Sequence, residues 1–126
     1  MIEVENLRIG NFIRGEEGHL CIVNNIDYPN KKVNDRSVDS FEYISVSDEL
    51  LEHNNFQKKV FKGGYEEDIH FILNENFDLT RNKDGGYSIF VEDEKGQNDI
   101  EIDIYFVNEL QNVYKLLKRK ELNFIF

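Results

Sequence analysis

FDLTRNKDGGYSIFVEDEKGQNDIEIDIY, residues 77–105, is the stretch on which the fold is decided. In its last part, Ile100, Ile102 and Ile104 alternate with Glu101 and Asp103, the period of two expected of a strand with one buried and one acidic face. Upstream, Phe77 to Arg81 and Tyr87 to Val91 read as two more strands. The residues Asn82 to Gly86, and then Gly96 to Asn98, supply the reversals between them. Two further candidates precede these, Phe56 to Phe61 and Tyr65 to Leu73, divided at Gly63 and Gly64 and followed by the polar turn Asn74 to Asn76. Short consecutive strands joined by tight turns are most simply arranged as an antiparallel meander.

The flanks change period. In SVDSFEYISVSDELLEHNNF, Phe41, Tyr43 and Ile44 look extended, and Ser47 then caps a short helix. Asp48 and Glu49 in its first turn suit the positive end of the helix dipole. Leu50 and Leu51 would dock that helix, and Asn54 or Asn55 would end it in a left-handed conformation. A second helix is expected in YFVNELQNVYKLLKRKEL, with Asn108 and Gln111 spaced as a capping pair. Its apolar stripe runs through Val107, Leu110, Val113, Tyr114 and Leu117, and Lys115, Lys118, Arg119 and Lys120 gather at its negative end. Leu122, Phe124 and Phe126 then suggest a last strand or a docked tail. At the other terminus, Leu7, Ile9, Phe12 and Ile13 precede a glycine-bounded turn that Leu20, Ile22, Val23 and Ile26 follow, which reads as a hairpin of bent strands. The expected class is therefore α+β: a bent antiparallel sheet or meander of short strands with two short helices, in a single domain over residues 1–126.

Bulk properties narrow the function. Twenty-five acids against fifteen Lys and Arg leave a formal charge of −10, so a phosphate backbone would be repelled and direct nucleic-acid binding is not expected. A basic partner is the natural complement. The opening MIEVENLRIGNFIRGEEG lacks the apolar run of a secretory leader, and no apolar run approaches the roughly 18 residues of a spanning helix, so a cytoplasmic protein is expected. Cys21 is the single cysteine and reads as a small core hydrophobe in HLCIV.

No motif carries standard chemistry. His19, His53 and His70 have no ligand spacing, and neither a zinc-hydrolase helix nor a phosphate-binding glycine loop is present. TRNKDGGYSIFVE resembles a calcium loop only at Asn82, Asp84 and Gly85; Thr80 and Val91 stand where the first acid and the bidentate Glu belong. No serine sits in a nucleophile elbow. Carboxylate pairs occur at Glu16 and Glu17, Glu66 to Asp68, and Glu92 to Glu94, but spacing alone does not make them converge. Catalytic residues, metal ligands and cofactors are therefore not expected, and the chain reads as non-enzymatic. The densest charge lies in VEDEKGQNDIEID, where Glu92, Asp93, Glu94, Asp99, Glu101 and Asp103 face only Lys95, a net −5 from six acids and one base. Such a ribbon suits the basic groove of a partner.

Three segments resemble a family of small proteins of phages, prophages and mobile elements of Bacteroidetes bacteria. LRIGNFI resembles its LRIGN-type opening. YISVSDELLEHNNF resembles I-x-L-T-E-E-x-L-x-x-x-G-F, with Ser47, Asp48, Glu49, Leu51 and Phe56 matching in kind. YFVNELQNVYKLLKRKEL resembles V-H-x-L-Q-N-L-Y followed by a linker and E-L, through Val107, Leu110, Gln111, Asn112, Tyr114, Glu121 and Leu122. Asn108 replaces the family's His, Asn55 its Gly, and KLLKRK its less charged linker. Some small acidic phage and prophage proteins of these bacteria are anti-CRISPRs, including inhibitors of the RNA-guided type VI-B effector. The resemblance thus implies a non-enzymatic inhibitor acting in the host cytoplasm, which binds a CRISPR effector nuclease, with or without its guide RNA, and interferes with its RNA handling. The alternative it implies is a mobile-element accessory module with another protein partner.

Overall fold

The computed structural model describes residues 2–64, 66–74, 77–92 and 99–126, the side chains of Glu66, Glu92 and Asp99 excepted. Its strands and helices run in the order β1 (Phe12–Arg14), β2 (Leu20–Ile22), β3 (Ile26–Asp27), β4 (Lys32–Val33), β5 (Arg36–Ser37), α1 (Asp48–His53), β6 (Gln57–Gly63), β7 (Glu66–Ile72), β8 (Asp78–Arg81), β9 (Tyr87–Glu92), β10 (Asp99–Ile104) and α2 (Val107–Lys118). This is the expected α+β class with open antiparallel sheets. The chain packs as two compact units, Met1–Ser45 with Phe106–Asn123, and Val46–Tyr105 with Phe124–Phe126.

The second unit holds the meander, a five-stranded antiparallel sheet in the order β10-β9-β8-β7-β6. Its middle strand is its shortest. β8 pairs with β7 from Asp78 to Thr80, but with β9 only at Thr80 and Arg81, so Thr80 alone has partners on both sides. The two outer hairpins are therefore staggered: β6–β7 runs past one end of β8 and β9–β10 past the other. Alternation sends Phe71, Leu79, Tyr87, Ile89 and Ile104 to one face, where they are buried with Leu51, Phe56 and Phe77. Phe71 meets Tyr87 edge-on at 5.7 Å, and Phe56 meets Phe77 at 6.3 Å.

α1 begins as the sequence suggests. The Ser47 hydroxyl accepts from the Leu50 amide at 3.2 Å, and Asn55, at φ 71°, is the residue that turns left-handed after the helix. Asn54 has a different task. Its side chain donates to the Leu50 and Ile125 carbonyls and accepts from the Ile125 amide at 2.7 Å, fixing the C-terminal tail without a strand. Asp48 ties α1 to the sheet, accepting from the Tyr87 hydroxyl at 2.5 Å and pairing with Arg81 at 3.0 Å.

Burial, and then the Asp48 hydrogen bond, push ionisation of Tyr87 well above the usual tyrosine range. A raised folded-state value means that the associated stability is complete below the unfolded tyrosine value of roughly 10 and is lost as pH rises beyond it. Chemical denaturation between pH 9 and 12 is expected to show stability falling by up to ~1.4 kcal/mol more per pH unit in the wild type than in Tyr87→Phe.

The first unit is built on a core of Ile2, Val4, Leu7, Ile13, Val23, Val33, Val38 and Phe41. β1 and β2 form the N-terminal hairpin, with Phe12 opposite Ile22 and Arg14 opposite Leu20. The faces of β2 differ from expectation: Leu20 and Ile22 are exposed, while Cys21 is half-buried against the core with its thiol 3.7 Å from the His19 carbonyl. β3, β4 and β5 make a small three-stranded antiparallel sheet, an addition to the expected N-terminal hairpin. Its β4–β5 turn places Asn34 and Asp35 at φ 52° and 64°, the two left-handed positions of a two-residue hairpin. The Asn34 side chain closes that corner, accepting from the Asn24 and Asn25 amides and donating to the Ile22 carbonyl.

α2 packs through Val107, Leu110 and Tyr114, all buried, whereas Leu117 is 37% exposed. Its start corrects the expected capping pair. Phe106 is the N-cap residue, and Glu109 reaches back to accept from the Phe106 amide at 2.9 Å. Asn108 and Gln111 are buried tertiary partners instead. Gln111 accepts from the Phe12 amide at 2.9 Å and donates to the Gly10 and Leu122 carbonyls. Asn108 and Asn112 donate to the Asn6 carbonyl, Asn112 accepts from Asn11 and Arg8, and Arg8 grips Glu121 through two contacts of 2.7 and 3.0 Å. LRIGNFI and the LQN stretch of α2 therefore clasp each other.

Gln111→Leu takes their side-chain partner from the Phe12 amide and two carbonyls at a buried position, and is expected to cost ~2 kcal/mol or more. Glu121→Gln disturbs only surface ion pairs, with Arg8 and Lys115, and should cost under about 1 kcal/mol. Urea titration of both variants checks the contrast.

Candidate functional site

The hairpin of β9 and β10 carries the acids singled out from the sequence. Among the described residues β10 is an edge strand, bonded only to β9, with Asp99 opposite Glu92, Glu101 opposite Phe90 and Asp103 opposite Ser88. Asp93 and Glu94 lie outside the described residues, and Glu92 and Asp99 are placed by their backbone alone. Glu101 and Asp103 are exposed on the sheet face away from the core, as their alternation with isoleucine requires. The isoleucines grade along the strand: Ile104 is fully buried, Ile102 half-buried and Ile100 54% exposed. β8 flanks the hairpin only at Tyr87 and Ser88.

Ser88 joins the two acids. It is fully buried, and its hydroxyl lies 3.0 Å from Glu101 Oε1, 2.9 Å from Asp103 Oδ1 and 3.0 Å from Asn82 Oδ1. One hydroxyl proton serves one acceptor at a time. Rotation of the Asn82 amide would add a donor, and the two carboxylates would still compete for the serine proton. The cluster is therefore rich in lone pairs and poor in protons, the arrangement that an incoming ammonium or guanidinium best completes. Neither Asn82 nor Ser88 was singled out as a site residue. The signal was the polar residue at position 88 in YSIFVE, on the alternation opposite to Tyr87 and Ile89.

The turn beneath the hairpin is specific. Gly85 takes φ 94°, Asp84 accepts from the Gly86 amide at 2.9 Å and from the Tyr105 hydroxyl at 2.8 Å, and these bonds hold the Asp84 carboxyl below its ordinary range. A Cβ at Gly86 would overlap the Tyr105 ring.

The other candidate residues are dispersed. His19 sits 3.6 Å from Glu17, His53 ends α1, and His70 meets Asp78 at 2.8 Å with Phe61 packed edge-on at 4.9 Å. Among the described residues, no group of three or more His, Cys, Asp or Glu is placed to hold a metal ion, and no helix is long and apolar enough to cross a membrane. Of the basic cluster ending α2, Lys115 pairs with Glu121 at 3.7 Å, and Arg119 closes the helix at φ 58°. No protein-family model matches the chain, and neither a curated protein nor a solved structure does.

Because the Tyr105 ring fills the space above Gly86, Gly86→Ala is expected to cost ~1–3 kcal/mol in thermal unfolding. Gly63→Ala, where an added Cβ meets nothing within 4 Å, should change stability by less than about 0.5 kcal/mol.

Proposed function

We propose that the protein is a non-enzymatic inhibitor that binds a basic protein partner through the acidic β9–β10 edge. The observation that carries this reading is the placement of Glu101 and Asp103 on one exposed face of an edge strand, converging on a single buried hydroxyl. An edge of this kind offers carboxylates at a two-residue repeat and an unpaired backbone beside them. A basic groove shaped for nucleic acid presents the opposite charge, and attraction between the two accelerates encounter as well as fixing orientation. The resemblance of LRIGNFI, YISVSDELLEHNNF and YFVNELQNVYKLLKRKEL to small phage and prophage proteins directs the partner assignment to an RNA-guided type VI effector. Occupying its RNA-binding groove would interfere with guide or target RNA without any chemistry on the part of the inhibitor.

The test uses purified type VI-B effector loaded with guide RNA, its target-RNA cleavage and its binding to the full chain. The expected result is inhibition that weakens steeply with salt and falls at least about tenfold when Glu92, Asp93, Glu94, Asp99, Glu101 and Asp103 are converted to their amides. Full cleavage in saturating protein, or equal affinity of the neutralised variant, overturns the reading.

A further inference from the structure

A second site of different composition lies in the first unit. A groove of about 510 Å³ is lined by Ile2, Asp39, Phe41, Glu42, Tyr43 and Phe106. Half of these residues are aromatic, two are carboxylates and none is a cation. Ligand classes separate on that lining. An anion would meet two like charges, and a neutral apolar molecule would strip water from both carboxylates without replacing it. A planar cation satisfies both elements, stacking on a ring and donating to a carboxylate.

The aromatic wall is fixed before any ligand arrives. Tyr43 stacks on Phe106 with centroids 4.8 Å apart and planes 26° apart. The Tyr43 hydroxyl accepts from the Glu3 amide at 3.0 Å and from Asn6 Nδ2 at 3.4 Å, so the ring is held at its far end as well. Phe106 is anchored through its backbone, by the Glu109 side chain and by a bridge to Ser45. Asp39 and Glu42 are exposed, and among the described residues neither carboxylate is engaged in an ion pair or a hydrogen bond. The Glu42 main chain is nonetheless rigid, exchanging two hydrogen bonds with Arg14 of 2.9 and 2.8 Å. Preorganised rings beside free carboxylates lower the ordering cost of capturing a cation.

We propose that this groove receives an arginine side chain of a protein partner, its guanidinium stacked on the Tyr43–Phe106 wall and paired with Asp39 or Glu42. The site shares no residue with the β9–β10 edge and stands whether or not that edge binds an effector. Arginine is favoured over lysine because a planar, weakly hydrated guanidinium both stacks and forms paired hydrogen bonds, whereas an ammonium does neither as well.

The experiment is a nuclear magnetic resonance titration of the full chain with doubly blocked arginine, citrulline and lysine. Blocked arginine is expected to shift the ring resonances of Tyr43 and Phe106, and neutral citrulline to leave them in place. Asp39→Asn with Glu42→Gln, substitutions of exposed side chains, should weaken the arginine response at least about fivefold while the rest of the spectrum is retained. Equal shifts with citrulline or lysine, an unchanged response in the double variant, or shifts confined to residues outside the groove would each overturn the assignment.

Discussion

The shortness of β8 is the constraint from which the second unit takes its form. Four residues, Asp78 to Arg81, must join two longer hairpins, and they do so with only Thr80 paired on both sides. A longer middle strand would have backed β9 and β10 along their length. With β8 as it is, the β9–β10 ladder is supported at Tyr87 and Ser88 and runs on unbacked toward Glu92 and Asp99. Burial falls in the same direction along β10, from fully buried Ile104 to exposed Ile100. The part of the hairpin nearest β8 is anchored by Tyr87 through Asp48 and by the Gly86–Tyr105–Asp84 turn, so an open edge stands on a rigid base.

The first unit is held differently. Its apolar core is supplemented by a layer of side-chain amides between α2 and the N-terminal loop, in which Gln111 serves three backbone groups and Asn108 and Asn112 share the Asn6 carbonyl. Such a layer tolerates little change, since each lost amide strands a buried backbone group. Asn108 Oδ1 is the buried side-chain atom that finds no partner among the described residues. LRIGNFI and the LQN stretch of α2 meet in this layer, so their amides fasten the unit.

Much of the sheet was legible because β10 keeps a strict period of two and glycine- and asparagine-rich turn signals separate the candidate strands. Asp99 to Ile104 declared both its faces, and Ser47 declared the start of α1. Where the local pattern is degenerate, reading stops. LCIV has no polar residue to set its phase, and a shift of one position turns Leu20 and Ile22 outward. β3, β4 and β5 are two residues each, too short for any period. Asn108 and Gln111 have spacing that suits a cap, yet an amide serves equally as a tertiary partner, and only the N-terminal loop decides between the two. The acids of the candidate edge were visible as charge; that Ser88 joins Glu101 to Asp103 depends on cross-strand register, which charge counting does not contain.

The central claim is that β10 is the surface a basic partner covers. Amide hydrogen exchange of the full chain, free and bound to purified type VI-B effector with its guide, measures this most directly. The account predicts that slowed exchange on binding concentrates in residues 99–103, where the edge amides pass from water to partner. Unchanged exchange across those residues, with protection instead at Lys115 to Lys120, would contradict it and move the interaction to the basic end of α2.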